Sequence, residues 1–300
     1  MAQASETIDI QASGLGLRKE PLSWAWLGVV PFFTFAVLFL IWPTLDLVVG
    51  AFQDPAGNFT FDNFFRLFQP TILRAYWISI KISAASAIVG AILGFALAYA
   101  VVLGNLPAWL RPTLMTFSGV ASNFAGIPLA FAFLATLGRT GLVTWLLTTY
   151  LGFNIYSTGF NLLSFWGLTL TYLYFQIPLM VLILTPALDG LKKEWREASS
   201  TLGASTWQYW RYVALPILWP SILGTTLLLF ANSFGAVATA YALTGSSLNI
   251  VTILLYAQIR GDVLHDPNLG YALAMGMILI TGASNGLYIW LRARSEKWLR

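Results

Sequence analysis

Glu197-Ala-Ser-Ser-Thr-Leu-Gly203-Ala-Ser-Thr-Trp-Gln-Tyr-Trp-Arg-Tyr-Val-Ala-Leu215-Pro216 is the core of a polar island in a chain that is otherwise mostly apolar. Leu191, Trp195, Ala198 and Leu202 recur at spacings of four, three and four, which aligns them on one helix face. Lys192, Lys193 and Arg196 take the other faces. Gly203 stands where that helix ends, because glycine adopts the left-handed conformation without steric penalty. Ser205-Thr-Trp-Gln208 has the form of a capping box and starts a second short helix. Val213-Ala-Leu-Pro216 leads into the next apolar run, with Pro216 in its first turn, where a missing N–H does least harm. The expected form is helix, tight turn, helix, membrane. Physical chemistry alone allows two uses for it: an amphipathic pair resting on lipid headgroups through Trp207, Trp210 and the basic residues, or a surface presented to a partner.

Outward from this island the chain reads as an all-α membrane protein. Apolar residues make up 58% of its 300 positions, charged residues 9%, and the mean hydropathy is +0.73; a soluble domain carries about 25% charge. Apolar runs of about 20 residues are long enough to cross a hydrocarbon core of roughly 30 Å. Six such runs are expected, near Trp24–Val49, Tyr76–Leu103, Thr113–Leu137, Leu162–Leu188, Leu215–Leu243 and Leu269–Leu291. They are continuous rather than alternating, which favours helices over a barrel. Residues 1–23 read as a flexible cytoplasmic tail, 24–292 as the membrane domain and 293–300 as a cytoplasmic C-terminal tail. Arg18-Lys19 precedes an apolar run too long for a cleavable signal, so that run is expected to stay as the first span. Phe59–Phe68 predicts a short amphipathic helix capped by Thr60 or Asp62, and Leu142–Leu151 a helix along the membrane surface.

Basic residues set the expected orientation. With a cytoplasmic N-terminus, eleven fall inside (Arg18, Lys19, Arg111, Lys192, Lys193, Arg196, Arg211, Arg292, Arg294, Lys297, Arg300) and five outside (Arg66, Arg74, Lys81, Arg139, Arg260). This asymmetry puts both termini and the polar island in the cytoplasm. The net charge of +4 is accounted for at membrane edges and is no signal for nucleic acid.

The spacing of the island carries a family resemblance. Glu-Ala-x, three residues, Gly, nine residues, an aliphatic, one residue, then Leu-Pro resembles the EAA loop of the importer permeases of ABC transporters, matched here by Glu197, Ala198, Gly203, Val213, Leu215 and Pro216. Ser199 stands in place of the second alanine and Val213 in place of isoleucine. The resemblance covers roughly residues 25–292 and implies a type I (MetI-like) importer permease architecture in a bacterial inner membrane. It implies that Glu197, Ala198, Ser199, Gly203, Leu215 and Pro216 couple the chain to a cytoplasmic ATPase. It further implies two ATP-binding subunits, a second permease (identical or homologous) and an extracytoplasmic solute-binding protein as partners. ATP and Mg would be bound by the ATPase subunits, since the chain itself has no Gly-x-x-x-x-Gly-Lys-Ser/Thr loop and no cofactor is expected in it. The likeness is greatest to the spermidine/putrescine group, whose relatives handle iron, thiamine and phosphonates; a polyamine is the first expectation for the solute.

Polar residues inside the spans are expected to face a pathway or another helix. Ser118, Ser122, Tyr172 and Asn285 are among them. Asn123, Tyr172, Gln176, Asn232 and Ser233 are the pathway candidates, with Pro128 and Pro178 as nearby kinks. Asp46 and Lys81 are the charges nearest membrane depth, and His265 between Asp262 and Asp266 reads as a solvated loop rather than a metal site. A membrane-embedded enzyme would need clustered acids, histidines or a nucleophile with its base; one histidine and no cysteine argue against it. A proton- or sodium-driven transporter normally uses intramembrane carboxylates or histidine, which are scarce here.

Overall fold

The structure, a computed structural model, describes residues 27–104, 106–260 and 265–296. Its regular elements are helices, apart from an isolated bridge between Gln53 and Phe59. Six helical stretches are long and apolar enough to cross a membrane. The tail read over residues 1–23 lies outside the described residues.

The chain divides into two units, Met1–Asp46 and Leu47–Arg300. In the first, α1 (Val30–Ala36) passes through a π-turn, Val37–Ile41, into α2 (Trp42–Ala51), whose residues from Leu47 on belong to the second. Phe32, Phe33, Phe35, Phe39 and Trp42 are all more than half exposed, and a helix apolar all round suits a lipid surround.

The second unit adds α3 (Asp62–Leu67), α4 (Pro70–Leu103), α5 (Leu110–Asn123), α6 (Ile127–Leu137), α7 (Leu142–Leu151), α8 (Phe165–Asp189), α9 (Lys193–Thr201), α10 (Thr206–Tyr209), α11 (Leu215–Phe234), α12 (Val237–Thr244), α13 (Val251–Arg260) and α14 (Pro267–Glu296). Its centre is the pair α4 and α8, which pack along a seam of small residues: Ala87, Gly90, Ala91, Gly94 and Ala98. A Cβ on Gly94 would lie 2.5 Å from Met180 Cβ, and one on Gly90 would lie 2.9 Å from Gln176 Cβ. Lipid tails give no hydrophobic drive for helix pairing, so this close approach and its dispersion contacts hold the pair together. Met180, Val181, Leu184 and Leu188 fill the same cluster with Leu218 and Leu229 of α11. A fourth helix joins through tyrosines seated on glycines: Tyr288 of α14 lies against Gly224 of α11, and Tyr76 of α4 against Gly276 of α14. The Tyr76 hydroxyl donates to Leu273 O at 2.6 Å. Arg111 and Asp189 pair at 2.6 Å, joining the start of α5 to the end of α8.

Several boundaries differ from the sequence expectation, each for a local reason. The second span begins at Pro70 rather than Tyr76, because proline is pre-organised for a first turn. The third span, expected as one run over Thr113–Leu137, is interrupted between α5 and α6; the apolar stretch of crossing length is Ile127–Leu151, so α7 continues it. The fifth span, expected to reach Leu243, breaks after Phe234, and α12 and α13 then meet at 87°. Residues 293–296, read as tail, continue α14.

Two π-turns occur among the described residues, and each is followed directly by an X-Pro step. The N–H of Trp42 reaches Val37 O ahead of Pro43, and that of Leu215 reaches Trp210 O ahead of Pro216. A proline inside an α-helix collides with the carbonyl four residues earlier. The wider turn moves that carbonyl aside, and the helix continues.

Away from the hairpin, Lys81 Nζ sits 4.9 Å from the centre of the exposed Trp77 ring. Asp266 accepts the Leu269 N–H at the start of α14 and pairs with Arg66 at 2.7 Å. Asp262 lies outside the described residues, and His265 is exposed.

Candidate functional site

Two features stand apart from ordinary helix packing: the hairpin around Gly203 and a cavity between broken spans. In the hairpin, α9 closes with a full Schellman arrangement. The N–H of Ala204 donates to Ser199 O and that of Gly203 to Ser200 O, each at 3.0 Å, while Gly203 has φ +77°. Ser205 Oγ accepts the Gln208 N–H and Gln208 Oε1 accepts the Ser205 N–H at 2.7 Å, so the capping box is complete. The second helix does not stop before the membrane. It passes from α10 through the π-turn into α11, giving one helical run over Thr206–Phe234.

The apolar stripe of α9 is only half covered. Leu191 packs against the α4–α8–α11 cluster with Trp210, and Trp195 is half-buried beneath Lys192. Ala198 is exposed and Leu202 is 87% exposed. Glu197 and Ser199 stand beside them, Glu197 exposed and its carbonyl accepting from Ser200 and Thr201. Leu215 and Pro216 begin α11 on the membrane side of the π-turn.

The cavity has a volume of about 520 Å³ and is lined from both interruptions: Ser122, Asn123 and Gly126 on one side, Asn232, Ala236 and Thr239 on the other, with Phe175 as its floor. Gly126 has φ +78° and ψ −150°, a region essentially restricted to glycine. Its N–H donates to Thr239 Oγ1 at 2.7 Å, tying the start of α6 to α12. Tyr172 O–H donates to Ala236 O at 3.1 Å and holds the second break from behind. Irregular backbone at membrane depth is tolerated only where protein buries it or where it lines a water-filled cavity; here both breaks meet the same cavity. No charged side chain lines it.

The five pathway candidates fall into two groups. Asn123 and Asn232 are exposed and line the cavity, and Asn123 Nδ2 also donates to Gly119 O at 2.9 Å. Gln176 is fully buried, with Nε2 donating to Ser86 Oγ and Leu229 O, each at 3.2 Å. Ser233 Oγ lies within hydrogen-bonding reach of Leu229 O, Phe230 O and Ser83 O. Tyr172, Gln176 and Ser233 thus bind α4, α8, α11 and the second break to one another. Gly126 and Thr239 belong to the cavity and were absent from the sequence expectation, while Ser122, expected to face a pathway or another helix, lines it as well. The Gly126-x-Pro128 step was a usable signal for the first; Thr239 had none.

Residues 154–300 match the family described as binding-protein-dependent transport system inner membrane component. The chain is 26% identical over 264 residues to the ferric transport system permease protein FbpB of Actinobacillus pleuropneumoniae, covering 86% of this chain and 36% of that protein's length. It is 24% identical over 276 residues to the spermidine/putrescine transport system permease protein PotB of Haemophilus influenzae, covering 89% of this chain and 92% of that one. The fold is shared with a chain of a bacterial ABC transporter involved in alginate import, with a TM-score of 0.66, 16% identity, and coverage of 91% and 95%.

Proposed function

We propose, from the match of residues 154–300 to the family of binding-protein-dependent transport system inner membrane components, that this chain lines half of the solute pathway of an ATP-driven importer. The observation that carries the reading is the convergence of two helix interruptions, after Asn123 and after Phe234, on one uncharged cavity, with the helical run Thr206–Phe234 leading back to an exposed hairpin. In this reading Glu197, Ala198, Ser199 and Gly203 meet an ATP-binding subunit in the cytoplasm, and Leu215 and Pro216 carry its movement into α11. A switch from 1:99 to 99:1 needs about 5.5 kcal/mol of differential binding, and a continuous helix transmits such a bias where a loose loop would absorb it. Two ATPase subunits, a second permease and an extracytoplasmic binding protein complete the machine, with ATP and Mg held by the ATPases.

Among solutes a polyamine comes first, because the likeness to the spermidine/putrescine permease runs along 89% of this chain and 92% of that one. Because the cavity presents neutral hydrogen-bonding groups, the charges of a polyamine would be met by the paired permease or the binding protein. Iron, thiamine and phosphonate are the alternatives.

The chain has no cysteine, so single cysteines report cleanly. Ala198→Cys in the reconstituted complex is expected to crosslink to the ATPase subunit, and Asn232→Cys to react with a water-soluble thiol reagent. Absence of the crosslink rejects the coupling surface; an inert Asn232→Cys rejects the aqueous pathway. Uptake of labelled spermidine that is unchanged on deleting the system rejects the polyamine.

A further inference from the structure

A second, smaller cavity lies where α4, α8, α11 and α13 meet. About 10 Å³ of it is open to the centre of a water molecule, close to the minimum of roughly 10–15 Å³ that one water needs. It is lined by Ser79, Ser83, Tyr172, Ser233 and Thr252 among apolar neighbours, and each of these five is at most 6% exposed. Thr252 Oγ1 is buried with no hydrogen-bond partner. An orphaned hydroxyl in a protein interior costs on the order of 1–3 kcal/mol, so its persistence calls for a partner.

The neighbouring groups have the matching capacity. Ser79 Oγ accepts the Val251 N–H at 2.9 Å, which leaves its own proton free to donate. Tyr172 donates to Ala236 O and Ser233 donates within α11 or to Ser83 O, which leaves both oxygens able to accept. One water accepts from Ser79 and Thr252 and donates to Tyr172 and Ser233, within the two to four partners that buried waters make. We propose that this cavity binds a single ordered water that ties α4 and α8 to α11 and α13, beside the break after Phe234. The water is a structural ligand of the fold, whatever solute the large cavity passes.

Three measurements on the purified full-length chain in its complex decide it. Thr252→Val keeps the shape and removes the oxygen. With the water present the variant loses a hydrogen bond and melts several degrees lower; in a dry cavity it removes an orphan, so a melting temperature equal to or above the wild type overturns the proposal. X-ray hydroxyl-radical footprinting gives a readout independent of stability. Radicals formed from a bound water are expected to oxidise Tyr172 or Phe234, which are 3% and 1% exposed, and unlabelled side chains at both positions overturn it. Replacing sodium by choline identifies the ligand: an unchanged wild-type melting temperature supports water, and a fall assigns the cavity to a cation and overturns it.

Discussion

Gly126→Ala isolates the backbone at the first span break. A Cβ there would meet only Ala238 Cβ at 3.8 Å and Pro128 Cδ at 3.9 Å, ordinary contact distances, so no overlap contributes. The cost is conformational: φ +78° with ψ −150° is closed to alanine, and holding it there costs about 1–3 kcal/mol. If the backbone relaxes instead, the Gly126 N–H leaves Thr239 Oγ1, and losing that bond costs about 0.5–1.5 kcal/mol. Either route loosens the junction of α6 and α12 at the cavity wall. The matched control is Gly119→Ala, in the middle of α5 with open space around it, where replacing glycine favours the helix by up to about 1 kcal/mol. Reversible unfolding in mixed micelles should therefore move in opposite directions for the two variants, and solute uptake by the reconstituted complex should fall only for Gly126→Ala. A Gly126→Ala chain as stable and as active as the wild type would refute the claim that this glycine sets the break.

Four further outcomes are expected. Gly203→Val forces a β-branched residue into the left-handed region at φ +77°, a strain of about 1–2 kcal/mol; uptake should be lost at normal membrane abundance, and retained uptake rejects the coupling role. Gly94→Leu drives a side chain into Met180 and the α8 backbone, so the yield of folded protein should drop, with an unaltered yield arguing against the small-residue seam. Asn232→Ala should change uptake or solute-stimulated ATPase activity with little change in stability, whereas Gln176→Ala should lower the melting temperature; the reverse pattern would exchange their roles. Asp54 is held below the ordinary carboxylate range by the Asn58 N–H and side-chain amide, with further help from Ala56 and Gly57. Its folded pKa is depressed, so its stabilising effect is present above the unfolded value of about 3.9 and fades as pH falls through the folded value. Hydrogen-exchange protection in residues 53–59, taken relative to the intrinsic exchange rate at each pH, should be steady from neutral pH down to that range and weaken below it, and Asp54→Ala should remove the dependence.

The sequence makes the hairpin legible almost atom by atom, because helix ends are written in local chemistry: Gly203 for the left-handed turn, Ser205 and Gln208 for the box. Spans are legible through hydropathy. The breaks in the third and fifth spans are not, since hydropathy averages over side chains and is blind to a single backbone conformation. Pro128 pointed to a kink, and the helix is fully interrupted just before it. The five pathway candidates share polar side chains in apolar runs, and nothing local separates them. Tertiary packing turns Gln176 and Ser233 inward against α4 and leaves Asn123 and Asn232 on the cavity. The π-turns are not legible either: Pro43 and Pro216 follow one, whereas Pro178, Pro186 and Pro220 lie inside α-helices without one.

The π-turn ahead of Pro216 also bears on mechanics. It makes Thr206–Phe234 a single beam of 29 residues, about 43 Å long at 1.5 Å per residue. Tilting such a beam by ~10° at the hairpin displaces its far end by ~7 Å, comparable to the width of the opening a small solute needs. The proline then has a second use as a stop. An extra residue inserted in a helix can migrate along it, dissipating torque as it goes, but this one has Pro216 at its edge and cannot pass without restoring the collision it relieves. If the hairpin is driven as proposed, torque applied there would arrive at Gly235, where the beam ends.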